Sequence, residues 1–302
     1  MLQIAVRDQA DVVRVRVSED ELVDAVRDMA YASGTFVVLQ RVPDLPDTYA
    51  QACPENGAWT VEHRAGSPAR HYATQVADVE QVAALLLGWA REDEGWDVGA
   101  GWERIEFEVP EPAPLELSEQ DEQTVVGEVR RLLVEGYTTL AQAAEVAEEC
   151  LVDKGVRPVT KAQAKQLVDR MWLERVAEQR SWVGETDPER VARAFAALEE
   201  GGITARENFT CCRSCGNGEI RAENPEARGF VYFHSQCTEG AAAGQDLWLL
   251  YGGFDDSEET TAAVGREVVA ALEECGLTVR WDGSPDEAVR VTGLDWRRRL
   301  VG

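Results

Sequence analysis

Cys212-Arg213-Ser214-Cys215-Gly216 places two thiols three positions apart, and His234-Ser235-Gln236-Cys237 supplies a second pair at the same spacing. The whole pattern, Cys-x2-Cys-x18-His-x2-Cys, falls in the window of a zinc-ribbon site. Two thiolates on one tight turn reach one ion at about 2.3 Å, and Gly216 permits a backbone that aims both sulfurs inward. Cys212, Cys215, His234 and Cys237 then close a tetrahedron of three sulfurs and one imidazole. Such a site is a structural zinc site, with no open position for a substrate. Two features pull against it: Cys211 leaves one thiol without a role, and His234 ends an expected strand, so its ring is free to face the other side. A plain set of reduced thiols is the competing reading. A redox role for Cys212 and Cys215 needs a strand running into a helix at the motif, a context that the sequence does not show.

The remaining chemistry-bearing residues are sparse. There is no Gly-x-Ser-x-Gly elbow, no Walker loop and no His-Glu-x-x-His. Gly99-Ala100-Gly101 lacks the third glycine of a dinucleotide fingerprint and reads as a turn. His63 and His71 flank one loop and read as two surface histidines on strand ends. Asp255-Asp256 and Glu258-Glu259 precede a helix, where they complement its dipole. Trp59, Trp89, Trp96 and Trp102 crowd the first third of the chain and read as core. Arg297-Arg298-Arg299 suits internal neutralisation or a carboxylate.

The elements that must position these residues separate into three segments. In residues 1–109, Ile4 to Val6 and the alternating Val12 to Val17 read as strands. Ser18-Glu19-Asp20-Glu21 is a capping box that starts a helix to about Ser33, closed by Gly34. Strands follow at Phe36–Gln40, Thr48–Ala52, Ala58–His63 and His71–Gln75, then a helix capped by Asp78, then a strand from Trp102 to Val109. This order suggests a mainly antiparallel sheet with two helices. Residues 110–117 hold three Pro in five positions and read as a linker.

Residues 118–302 form the second expected domain. Its part 118–201 is helical, with helices opening at Ser118, Leu140 and Lys161 and a fourth with Asp187 as N-cap and Pro188 after it. Its part 202–302 returns to α+β structure and carries the Cys/His cluster. Phe230–His234 and Leu247–Tyr251 read as buried strands, Glu258–Cys275 as a helix closed by Gly276, and Leu277–Trp281 and Val289–Thr292 as two further strands around Asp282-Gly283. The fold class is therefore α+β: a sheet domain, a helical segment and a second small α+β unit.

Composition bounds the function. The 302 residues carry 56 acidic and 30 basic side chains, a formal net charge of −26, spread as −11, −8 and −7 over 1–110, 111–202 and 203–302. Nucleic acid and anionic membranes are disfavoured, since both need clustered Lys and Arg. The spread suits solubility first and a basic partner protein second. No stretch reaches the ~20 apolar residues of a membrane helix and no secretory signal opens the chain, so a cytoplasmic location is expected.

Two resemblances add to this. Gly202 through Asn208-Phe209-Thr210-Cys211-Cys212-Arg213-Ser214-Cys215-Gly216, then Gly229 to His234, Leu277 to Ser284 and Asp295 to Arg299, resemble a bacterial domain family of unknown function over about 118–302. That resemblance implies no activity. Tyr49-Ala50-Gln51, Trp59 to Gly66, Gly88-Trp89-Ala90, Trp96 and Trp102 are similar to small immunity-type proteins of bacterial toxin systems over about 35–108. That one implies a domain that binds and blocks a toxin, with no catalytic residue. The combined expectation is a non-catalytic, cytoplasmic protein-binding factor, immunity-like or regulatory, with structural zinc at Cys212, Cys215, His234 and Cys237. The alternatives are a metal-dependent enzyme at the same cluster and a structural module of a larger assembly.

Overall fold

The computed structural model describes residues 1–31, 36–55, 57–107 and 112–301. The chain divides into two compact units, neither of them continuous. One comprises Met1–Val126, Thr139–Val176 and Leu300–Gly302, the other Gly127–Thr138 and Ala177–Arg299. The fold class is α+β. No helix among the described residues is long and apolar enough to cross a membrane.

The first unit is built on strands β1 (Ile4–Asp8), β2 (Val13–Val15), β3 (Val37–Arg41), β4 (Thr48–Glu55), β5 (Ala58–Ala65), β6 (His71–Val76) and β7 (Glu103–Arg104). They form one antiparallel sheet in the order β2-β1-β3-β4-β5-β6-β7. Helices α1 (Glu19–Asp28) and α2 (Val79–Arg91) bring Leu22, Val26, Val82, Leu86 and Trp89 into one core with Ile4, Val6, Leu39, Ala50, Trp59 and Val61. The strand residues of that core sit at every second position, as a sheet with one buried face requires. α1 stops at Asp28 and passes into a 3-10 turn at Met29–Tyr31, short of the expected end at Ser33; Ser33 and Gly34 themselves lie outside the described residues. So do residues 108–111, the end of the expected last strand and the start of the linker. Within the described part of that expected strand only Glu103–Arg104 pairs, and residues 112–117 form neither helix nor strand.

Helices α3 (Glu119–Glu135), α4 (Leu140–Glu149) and α5 (Lys161–Gln179) occupy the expected helical segment. The next helix, α6 (Asp187–Glu200), is capped by Thr186, with the Thr186 amide donating to Glu189 Oε2 at 2.9 Å, so the N-cap is one residue earlier than the sequence suggests. The second sheet comprises β8 (Ile203–Arg206), β9 (Gly229–Tyr232), β10 (Leu247–Gly253), β11 (Thr278–Arg280) and β12 (Val289–Thr292), in the order β11-β12-β10-β9-β8. β8 and β9 are parallel and the other pairs antiparallel. Helices α7 (Arg213–Glu223), α8 (Ser235–Ala242) and α9 (Glu258–Glu274) complete the described α-helices. Helices α6 and α9 supply Val191, Phe195, Leu198, Val264, Val268 and Leu272 to a core with Val231, Leu247, Leu249, Val289 and Val291.

Candidate metal centre

The parallel pair β8 and β9 sets the site. β8 runs through a short loop into the N-terminus of α7, and β9 runs directly into the N-terminus of α8. Two helix starts therefore lie beyond the carboxyl ends of two neighbouring parallel strands. That is where open α/β sheets place their ligands. The loop is tied down on both sides. The Phe209 amide donates to Phe233 O at 2.8 Å, the Ser235 amide to Thr210 O at 3.2 Å, Ser235 Oγ to Cys211 O at 3.1 Å and Thr238 Oγ1 to Asn208 Oδ1 at 2.7 Å. Asn208 and Thr210 hold left-handed backbone, at φ 49° and 59°. For a β-branched residue this is strained, and the surrounding hydrogen bonds must hold it.

Cys212 is the N-cap of α7, and Cys215 is the third residue of its first turn. Cys211 stands one position before the cap. The Cys211 and Cys215 sulfurs are 3.5 Å apart, those of Cys212 and Cys215 3.7 Å, and all three lie within 4.8 Å of one another. The residue that the sequence left without a role is thus a full member of the group. The main-chain amide of Cys215 holds the Cys212 thiol below its ordinary pKa, helped by the thiols of Cys215 and Cys211. Cys215 is pushed up to about 11, first by hydrogen bonding with the Cys211 thiol and then with that of Cys212. Unpaired first-turn amides and the positive end of the helix favour a thiolate at this position. The chemistry available is soft-metal ligation.

His234 and Cys237 form a second pair rather than the other half of this group. His234 is the N-cap of α8, and Cys237 lies in that helix's first turn. The Cys237 sulfur is 3.6 Å from His234 Nδ1 and 3.5 Å from Nε2. A sulfur nearly equidistant from both nitrogens lies opposite Cε1 or over the ring, in line with neither N–H. Burial pushes Cys237 up and His234 down, so this pair favours thiol and neutral imidazole. Between the two pairs stands Tyr232. Its hydroxyl donates to Asn217 Oδ1 at 2.5 Å, with Arg213 O also near at 3.1 Å, and burial raises it to about 12.

Three expectations about this region change. Cys212 to Gly216 is not a tight knuckle but the start of a helix, and Gly216 is a helical residue with another task. A Cβ there would sit 2.5 and 2.6 Å from two Tyr232 ring carbons and 2.7 Å from its hydroxyl, so glycine lets that side chain pack against α7. The strand-to-helix context that redox chemistry needs is present, because β8 leads into α7 at the motif. It escaped sequence reading because Gly216, Asn217 and Gly218 are poor helix formers.

Elsewhere, His63 and His71 are buried rather than on the surface, and they occupy opposite faces of the first sheet. His63 continues the inward row of Trp59 and Val61 and packs on Trp96 and Trp102 at ring-centroid distances of 5.0 and 4.6 Å. His71 pairs across from Arg64, whose Nε donates to its Nδ1 at 3.2 Å, while its Nε2 lies 3.3 Å from Glu62. They cannot act on one substrate. Asp255 accepts from Thr260 Oγ1 at 2.7 Å and the Ser257 amide at 3.0 Å, as a helix-start carboxylate does. Arg298 pairs with Glu207 at 2.8 Å and lies over the Tyr137 ring, and Arg299 pairs with Glu189 at 2.5 Å, so the arginine run serves internal carboxylates.

The stretch from the end of α3 through both thiol groups to the arginine run falls within residues 118–300, which match the model of DUF6891, a domain of unknown function. The chain belongs to the DUF6891 family. Both cysteine groups and the whole second sheet fall within the DUF6891 match. Comparison with curated proteins returns no match, and neither does comparison with solved structures.

Proposed function

We propose that this protein binds one soft metal ion, with zinc the reference case, through the thiolates of Cys211, Cys212 and Cys215. The observation that carries the reading is the sulfur geometry. A tetrahedral ion with metal–sulfur bonds near 2.3 Å has sulfur–sulfur edges of about 3.8 Å. Two of the edges here are 3.5 and 3.7 Å, and the third is within 4.8 Å. The helix start favours the deprotonated form of Cys212, the form in which a thiol binds a metal. Three protein ligands leave a fourth position of the tetrahedron for water, an external thiol or a group on a partner. The acidic surface supports a basic protein as that partner.

Titration of the reduced, full-length chain with cobalt(II) and zinc(II) tests this. One equivalent should bind, with a thiolate-to-cobalt absorption band that zinc abolishes. Cys211→Ser, Cys212→Ser and Cys215→Ser should each weaken binding at least about tenfold, while Cys53→Ser should not. Absence of the band, or a band that survives all three substitutions, would sink the proposal.

A further inference from the structure

Apart from any metal, Cys212 and Cys215 stand in the arrangement of a dithiol built for exchange. Cys212 occupies the N-cap of α7 with extended backbone, φ −158° and ψ 171°, and Cys215 follows one helical turn later with its sulfur 3.7 Å away. A disulfide needs Cβ atoms about 3.5–4.5 Å apart, within reach of two side chains whose sulfurs already stand 3.7 Å apart. The movement required is a rotation of two short side chains and a small tightening of the first turn. Neither thiol is shut away: both are part-exposed, and Cys211 beside them is exposed. The strand-loop-helix segment is anchored by the hydrogen bonds from Phe209, Ser235 and Thr238, so the pair is presented on a fixed support.

We propose that Cys212 and Cys215 form a dithiol–disulfide couple that exchanges with low-molecular-weight disulfides, Cys212 being the attacking thiol and Cys215 the resolving one. The assignment follows position. Cys212 is at the helix cap, where the unpaired amides of the first turn act most strongly on a sulfur, an effect that fades within one turn. Cys215 is inside that turn, within reach of the Cys212 sulfur.

The chemistry closes with the incoming disulfide R–S–S–R as oxidant. The Cys212 thiolate attacks one sulfur of R–S–S–R, the S–S bond breaks, and RS⁻ leaves as the mixed disulfide Cys212–S–S–R forms. The Cys215 thiolate then attacks the Cys212 sulfur, expels the second RS⁻ and leaves the Cys212–Cys215 disulfide. Two protons from the two protein thiols end on the two leaving thiolates. The protein dithiol loses two electrons and R–S–S–R gains them as two RSH.

This inference does not rest on metal binding, and the two can fail separately because the test uses reduced, chelator-treated protein. Full-length chain is incubated with glutathione disulfide, alkylated and mapped by mass spectrometry. The expected product is an internal disulfide between Cys212 and Cys215. Cys215→Ser should instead accumulate a mixed disulfide on Cys212, and Cys212→Ser should react at least about tenfold more slowly. The proposal is overturned if the wild-type disulfide maps to Cys211–Cys215, if the trapped adduct sits on Cys211, or if no internal disulfide forms across a glutathione redox series. The wild-type map needs no variant, so a misfolded substitution cannot blur the result.

Discussion

Asp44 lies against a cavity of about 760 Å³ whose lining includes Leu140, Ala144, Lys161, Lys165 and Asp169. Burial pushes its carboxyl up to about 6. The nearby charge of Asp169 adds to this, and the Leu45 amide and Lys165 oppose it. A carboxyl raised in the fold binds more protons there than in the unfolded chain between about pH 4 and 6. Its contribution is therefore most favourable below pH 4 and is lost as pH rises through 6. Asp44→Asn removes the charge and keeps an acceptor for the Leu45 amide. Urea midpoints at pH 4, 5, 6 and 7 should show the variant gaining on wild type up to pH 6 and then holding level. The gain should be on the order of 1–3 kcal/mol; a difference that stays flat with pH would refute this account. None of this was legible in Pro43-Asp44-Leu45-Pro46, which reads only as a turn, because the penalty comes from burial by distant residues. His63 is the contrary case: its place two positions after Val61 carried the signal for the buried face, and the reading of it as a surface histidine on a strand end passed over that alternation. Cys211 was visible as a thiol, but only the backbone of the loop before α7 shows that it joins Cys215.

Among elements, the start of α1 was the most legible, while its end at Asp28 falls short of the expected Ser33. Its capping box is present in both directions, the Glu21 amide donating to Ser18 Oγ at 3.2 Å and the Ser18 amide to Glu21 Oε2 at 2.6 Å. What attaches α1 to its unit is burial, not charge. Leu22 and Val26 are fully buried, whereas the ion pairs Arg27–Glu80 and Arg91–Glu19 join exposed side chains. Leu22→Ala should cost about 2–5 kcal/mol in denaturant unfolding, and Glu80→Gln should leave the unfolding midpoint nearly unchanged. Equal losses would show that the ion pairs hold the helix. β8, α7 and α8 were the elements that sequence reading missed. β8 is four residues long, and its pairing with β9 is a parallel partnership set by the crossover. α7 contains two glycines and α8 is a two-turn helix with Gly240 in it, so neither has the propensity or the periodic length that sequence patterns depend on. The candidate centre sits on these three elements, which is why its residues were found and its geometry was not.

At the scale of the molecule, the charge of −26 sets a global term that no single pair offsets. Most of the described ion pairs have at least one exposed partner, so salt weakens each of them a little while screening the repulsion among all the carboxylates. The second effect should win. Raising NaCl from about 20 to 300 mM shortens the Debye length from about 20 Å to under 10 Å, and the melting temperature should rise by a few degrees. A fall would place the ion pairs above the net repulsion.

The chain crosses between its two units at residues 126, 138, 176 and 299. No single cut separates them as whole bodies. A nick between 127 and 138 leaves two polypeptides that both still own part of the first unit, so they should co-elute until denaturant is added. Gene fragments ending at any one position carry one unit incomplete, which makes point substitution in the intact chain, rather than dissection, the route to this protein.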